Sequence, residues 1–395
     1  MTNRRVVILG ASGFVGTTLT DRLLKHDDIE VCAVIHSAGS AWRLARLDIP
    51  LLQVDVSDSS ALEKALRGAT HVVNCTRGPR SVMIDGLRNI LAACRSAGVR
   101  RFVHLSSVLV YGDPPPPESS NEDAPAVPQP GAESYGLVKL EQDKMVQEAA
   151  KSALQAVVLC PPNISGPFSG YIAGIANGVR NGSFALVGDG DGPCNLVDVR
   201  NLCHAIELAL DAEGAALDGR RIFVTDGEAT TWRQVVDAVR ELHDVDVVRR
   251  LERRDLAALL EKAATKPKLS VVSSLRHLVS SDVRAALRKD PLMAKLDRAA
   301  RQAVARLGSN LETKVRLGIE GPVHVSRPDP YANLAIGLCA QQLRDVRHLN
   351  ERAATLLGYS PTISFERSMA DFRDWYRAVH GIDGGYWALS RHLYS

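Results

Sequence analysis

Val6-Val7-Ile8-Leu9-Gly10-Ala11-Ser12-Gly13-Phe14-Val15-Gly16 is the stretch that decides the fold. Four consecutive apolar residues have the composition of a strand buried on both faces. Three glycines come next, and Leu19, Leu23 and Leu24 then repeat at helical spacing. Gly10 permits a tight turn. Gly13 lets an anion approach backbone N–H groups at the start of the helix, and Gly16 lets the helix pack closely on the strand. With Ser12, Phe14 and Val15 they form a cradle for a pyrophosphate. A lone glycine triplet is also found in ordinary βα turns, so the reading depends on the chain beyond it.

Downstream of Gly16 the same alternation continues. Glu30 to Ile35, Leu51 to Val56, His71 to Thr76 and Arg101 to Ser106 read as further strands, with helices between them. Ser57 and Asp58 cap one of these helices, and another runs through Ala97. The pattern predicts an α/β fold, a doubly wound, Rossmann-type parallel sheet with right-handed crossovers and a site beyond the C-terminal strand ends. That edge collects Gly10 to Gly16, His36, Asp55, Cys75 and Ser107. An acidic residue about 20 positions past such glycines commonly binds the adenosine ribose of NAD. His36 and Ser37 stand there instead, with Arg43 and Arg46 beyond. This tilts the expected cofactor from NAD toward NADP, with Arg43 as the 2′-phosphate contact; a solvated helix face is the equal alternative for Arg43.

The 395 residues are 45% hydrophobic and 24% charged, enough for a large core. Met1 to Arg5 lead straight into the first strand, so no leader is expected. No apolar run reaches the roughly 18 residues of a spanning helix. The seven cysteines are scattered and never spaced Cys-x-x-Cys, so they read as small core residues of a reducing compartment. A cytoplasmic protein without a metal site or membrane contact is expected.

Asp113 to Glu133 is rich in proline and reads as an extended surface loop. Ser134 to about Lys151 reads as a helix on which Tyr135 and Lys139 share one face. A free phenol ionises near pH 10, too high for ready proton exchange at neutrality, and a neighbouring ammonium lowers that value. With a serine hydroxyl to orient the substrate oxygen, such a pair suits proton transfer at a carbinol or ketone carbon. A bare Tyr-x-x-x-Lys also occurs by chance on exposed helices; here it comes after a phosphate turn and after Ser107 at a strand end.

Gly10 to Gly16, Ser106-Ser107-Val108-Leu109-Val110-Tyr111-Gly112 and Tyr135-Gly136-Leu137-Val138-Lys139 together resemble the signatures of extended short-chain dehydrogenases/reductases, the NAD-dependent epimerase/dehydratase group. Pro161 to Pro167 is similar to the segment lining nicotinamide and substrate in that family, which implies Pro162 at the cofactor and Asn163 at the substrate. The resemblance extends to Asn195-Leu196-Val197-Asp198-Val199 and to Leu356-Leu357-Gly358-Tyr359-Ser360-Pro361. It implies Ser107, Tyr135 and Lys139 as the catalytic trio, Asp55 and Val56 at the adenine, Cys75 and Thr76 beside the nicotinamide ribose, and a homodimer through the Tyr135 helix. The expected domains are 1–163 for NAD(P) and 164–395 for substrate, the second interleaved with the first.

The departures inform as well. Leu9 stands where many relatives have threonine. Cys194 stands where nucleotide-sugar enzymes commonly carry a diphosphate-binding arginine. Val108 and Leu109 replace the acidic residues that elimination of water requires, so dehydration is set aside. Residues 249–316 hold 17 Lys/Arg against seven Asp/Glu, although the whole chain carries only +3. This basic stretch lies in a helical insertion, about 250–335, in which Leu256, Leu259, Leu260 and Ala263, then Val272, Leu275 and Val279, have helical spacing. A solvated surface accounts for its charge; a cover that draws in an anionic or carrier-linked substrate is the sharper alternative. No nucleic-acid module accompanies it. The residues admit three functions: an oxidoreductase at a secondary alcohol or ketone, an epimerase with retained NAD, or a cofactor-binding sensor without turnover.

Overall fold

The computed structural model describes residues 4–130, 134–152, 154–243, 245–265, 331 and 333–380. The chain forms two compact units, Met1–Arg253 with Ala335–Ser395, and Arg254–Leu334.

The first unit is built on one parallel sheet. Its strands are β1 (Arg4–Leu9), β2 (Ile29–Ile35), β3 (Leu51–Gln53), β4 (His71–Asn74), β5 (Arg101–Leu105), β6 (Gln155–Cys160) and β10 (Asp218–Phe223), in the order β10-β6-β5-β4-β1-β2-β3. The five expected strands are present, and β6 and β10 widen the sheet to seven. β3 stops at Gln53, short of the expected Val56: Val54 and Val56 are buried but lie outside the ladder.

Successive side chains of a strand face opposite ways, and β1 shows why its apolar run is unbroken. Val6 and Ile8 join one core layer, with Leu19 and Leu23 of α1 (Phe14–Leu23) and Leu202 and Ile206 of α6 (Val199–Asp211). Val7 and Leu9 join the other, with Leu62 of α2 (Ser59–Ala65), Leu87 and Ile90 of α3 (Arg80–Ser96) and Val146 of α4 (Tyr135–Ala150). Each such side chain contributes roughly 1.5–3 kcal/mol by leaving water. Arg22 of α1 reinforces one layer through a bidentate bond to Glu207 of α6, at 2.9 and 2.5 Å.

Beyond the sheet, β7 (Asn163–Ser165) pairs with β9 (Leu196–Asp198), and β8 (Leu186–Val187) with β11 (Arg250–Leu251). Around them lie α5 (Gly170–Arg180), α7 (Trp232–Arg240), α9 (Ile336–Ala340), α10 (Glu351–Leu357) and α11 (Phe365–Val379). A reciprocal Thr231–Gln234 capping box opens α7, and Gly358, at φ 68°, closes α10.

The proline-rich segment is the surface loop expected, with one turn of 3₁₀ helix, but it is anchored at two points. Ser119 and Glu122 are buried. The Glu122 carboxylate accepts the Phe223 N–H at 2.6 Å, and the Ser119 carbonyl accepts from His348 Nδ1 at 2.9 Å. A tertiary dock, invisible to local composition, holds it.

In the second unit, α8, which begins one residue earlier (Arg253–Thr265), carries Leu256, Leu259, Leu260 and Ala263 as the spacing predicts. Val272, Leu275, Val279 and most of the basic stretch lie outside the described residues. At its start, Arg250 contacts Asp189 at 3.3 Å and Arg253 pairs with Asp345 at 2.6 Å.

Candidate active site

A cavity of about 740 Å³ opens beyond the C-terminal ends of β1, β4, β5 and β6. Its wall includes Gly13 to Gly16, Cys75, Thr76, Ser107, Tyr135, Lys139, Pro162 and Asn163. Segments more than a hundred residues apart thus meet where a doubly wound sheet binds its ligands.

The glycine turn has the geometry of a cradle. Gly10 has φ 78°, and a Cβ there would lie 2.9 Å from the Cys75 carbonyl. A Cβ on Gly16 would collide with the Gly10 carbonyl. Gly13 is the N-cap of α1 and supplies no side chain to its first N–H groups. The opening turn therefore presents unsatisfied donors to an exposed surface, which fits a dinucleotide pyrophosphate.

Tyr135 is the first residue of α4, and Lys139 lies one turn on. Lys139 is buried, and its Nζ donates to the Leu105 carbonyl at 2.7 Å. Burial pulls its ammonium down to about 8, opposed by the carboxylate of Asp143 on the next turn. Asp143 is itself buried, accepts from Arg221 Nε at 2.6 Å, and is pushed upward by burial. The expectation that Lys139 lowers the phenol's pKa needs correction. The Lys139 Nζ, aimed at Leu105, is 5.8 Å from the Tyr135 ring centroid. Burial raises the Tyr135 pKa, and the cation that opposes the rise is Arg77.

Ser107 is buried and stands just past β5; its Oγ accepts the Leu109 N–H at 3.3 Å and heads a turn of 3₁₀ helix. Thr76 donates its hydroxyl to Asn74 Oδ1 at 2.7 Å. Burial pushes the Cys75 thiol up to about 12, which makes it a neutral wall group and no nucleophile.

Six expected cofactor residues do not line this cavity: Gly10, which shapes the turn behind it, and Ser12, His36, Arg43, Asp55 and Val56. Ser12 Oγ accepts from Ser40 Oγ at 3.0 Å. His36 is exposed just past β2. Asp55 accepts from both N and Oγ of Ser57, at 2.9 and 2.8 Å, which holds its carboxyl below the usual range. Val56 is buried. The guanidinium of Arg43 packs 3.9 Å from the centroid of the Phe168 ring. A cation so engaged lends no support to the expected NADP preference.

Sequence reasoning missed the opposite wall: Tyr171, Asn195, Trp232, Gln341, Arg344 and His348. Gln341 Oε1 accepts from Tyr171 at 3.1 Å, Arg344 at 3.4 Å and Asn163 at 3.5 Å. Arg344 is bidentate to Asp113, at 2.7 Å on each oxygen. No local motif marks residues 341–348. Arg77 was also missed, although its place directly after Cys75 and Thr76 at the end of β4 was a usable signal. Cys194 is buried outside the wall, whereas its neighbours Pro193 and Asn195 line it.

The model of the NAD-dependent epimerase/dehydratase family matches residues 6–224. Among curated proteins, the chain is 25% identical over 243 residues to the Mus musculus decarboxylating sterol-4-alpha-carboxylate 3-dehydrogenase, covering 57% of this chain and 65% of that enzyme. It is also 25% identical over 248 residues to 2-alkyl-3-oxoalkanoate reductase of Stenotrophomonas maltophilia, covering 59% and 74%. Among solved structures, UDP-glucuronic acid 4-epimerase from Bacillus cereus, in complex with NAD, superposes with a TM-score of 0.63 at 16% identity, over 95% of this chain and 99% of that one. Among the described residues, no helix is long and apolar enough to cross a membrane, and no cluster could hold a metal ion.

Proposed function

This chain belongs to the NAD-dependent epimerase/dehydratase family, and from that premise we propose that it is an NAD-dependent oxidoreductase acting on a secondary alcohol or ketone carbon. The observation that carries this reading is the convergence of Ser107, Tyr135, Lys139 and the glycine cradle on one cavity. NAD supplies the redox chemistry when bound. The α1 N-terminus at Gly13 would hold its pyrophosphate, and Lys139, buried at the cavity wall, would hold its ribose. Ser107 orients the substrate oxygen, and the phenol of Tyr135 gives or takes the proton on that oxygen. The dehydrogenase and reductase relatives support this direction.

An epimerase using the same residues is the second reading, favoured by the fold likeness to an NAD-bound epimerase. Against nucleotide-sugar substrates stands the wall itself: Cys194 is a buried thiol behind Tyr171 with no charge to offer a diphosphate, and Arg344 already has its charge matched by Asp113. One experiment separates the readings: denature freshly purified protein and identify the released nucleotide. Near-stoichiometric NAD(H) favours the epimerase. An empty site, with NAD(H)-dependent turnover of an alcohol or ketone that Tyr135→Phe abolishes, supports the oxidoreductase. An empty site without such turnover leaves the sensor reading in its place.

A further inference from the structure

The charge of the cavity wall is one-sided. Among the described residues no Asp or Glu lines it, whereas Arg77, Lys139 and Arg344 do. Two of these cations are committed. Arg344 is matched by Asp113, and Lys139 is buried against the Leu105 carbonyl. Arg77 differs from both. It is exposed, and among the described residues neither a hydrogen bond nor an ion pair engages it. Its guanidinium carbon stands 5.2 Å from the centroid of the Tyr135 ring.

A guanidinium in this position offers a planar fork of donors suited to a carboxylate. We propose that Arg77 receives a carboxylate carried by the substrate, so that the substrates are hydroxy or oxo acids whose charged group lies near the reacting carbon. The inference rests on the oxidoreductase reading of the same site. Arg–carboxylate bonds are about 2.7–2.9 Å long. From a guanidinium this close to the Tyr135 ring, such bonds place the carboxylate a few covalent bonds from the carbon whose oxygen meets the phenol. Val108, Leu109, Pro162, Ile164 and Trp232 line the same cavity and suit the apolar remainder of the molecule. One other anion could claim Arg77, the cofactor pyrophosphate, and the test separates the two.

Short- and medium-chain 3-oxo acids and their methyl esters share a skeleton and differ in charge. Each is titrated into the NADH-loaded protein, with binding read by calorimetry and turnover by NADH absorbance. Wild-type protein is expected to bind at least one acid about tenfold or more tightly than its ester. Arg77→Gln removes that preference by weakening the acid, and leaves the ester and NADH affinities unchanged. The proposal is overturned if no acid is preferred over its ester, if the preference survives Arg77→Gln, or if the substitution weakens NADH binding instead. The oxidoreductase reading fails in another way: acid preference and its loss in Arg77→Gln persist in calorimetry, while no compound is turned over.

Discussion

The ammonium of Lys139 donates to the carbonyl of Leu105, 2.7 Å away, at the last residue of β5. This bond ties α4 to the strand that ends two residues before Ser107, so helix and strand deliver their side chains to the cavity as one piece. The position of the ammonium also carries a pH signature. Its folded value of about 8 lies below that of a free lysine. Between about pH 8 and 10.5 the folded state has released this proton while the unfolded state keeps it. The unfolded state then binds more protons, so stability rises with pH across that window. Lys139→Met is expected to remove this component of the rise, on the order of 3 kcal/mol. Urea unfolding of both proteins at several pH values in the window checks it; parallel curves would contradict the burial described here.

Tyr135→Phe deletes one hydroxyl and leaves the ring. Turnover is expected to fall by about 10²–10⁴-fold, with the melting temperature and NAD affinity close to wild type. A loss of NAD affinity as large as the loss of turnover would assign the phenol to binding.

The glycines of the cradle separate packing from binding. Gly16→Ala drives a Cβ into the Gly10 carbonyl and is expected to cost about 1–3 kcal/mol in denaturant unfolding. At Gly13 a Cβ would lie 3.2 Å from the Gly10 carbonyl, at the exposed mouth. Gly13→Ala should therefore leave stability within about 1 kcal/mol and weaken NAD binding. Equal effects of the two on stability would refute this division.

Asp143 and Arg221 form a buried pair at 2.6 Å beneath Lys139, with Asp143 fully covered. Asp143→Asn leaves the arginine without its counter-charge, and a cost of about 3–5 kcal/mol is expected. The double variant with Arg221→Met should recover part of that loss. The single variant should also lower the apparent pKa of Lys139 further, because the carboxylate that opposes burial is gone; the pH dependence of its unfolding tests this.

The features legible in the sequence are those that local spacing encodes. Val6 to Gly16 declares a strand, a turn and a helix in eleven consecutive positions, and Tyr135 and Lys139 declare a shared helix face. Both readings need only a few neighbouring residues. Glu122 was not legible as a buried group, because its partner is the backbone of Phe223, a hundred residues away. Arg43 sits in sequence where a phosphate contact is expected, yet Phe168 claims it through a contact that no periodicity announces. Residues 341–348 form a wall only because Asp113, Asn163 and Asn195 meet them.

That wall has a consequence for how the molecule is made. A nascent chain that has reached residue 253 already contains every strand of the sheet, the glycine cradle, Tyr135 and Lys139. It does not yet contain Arg344, which clasps Asp113, or His348, which clasps Ser119. The whole second unit must be translated first, a delay of several seconds at about 5–20 residues per second. The residues of the cradle thus leave the ribosome before those of the opposite wall, and the site is complete only once the chain has emerged through residue 348.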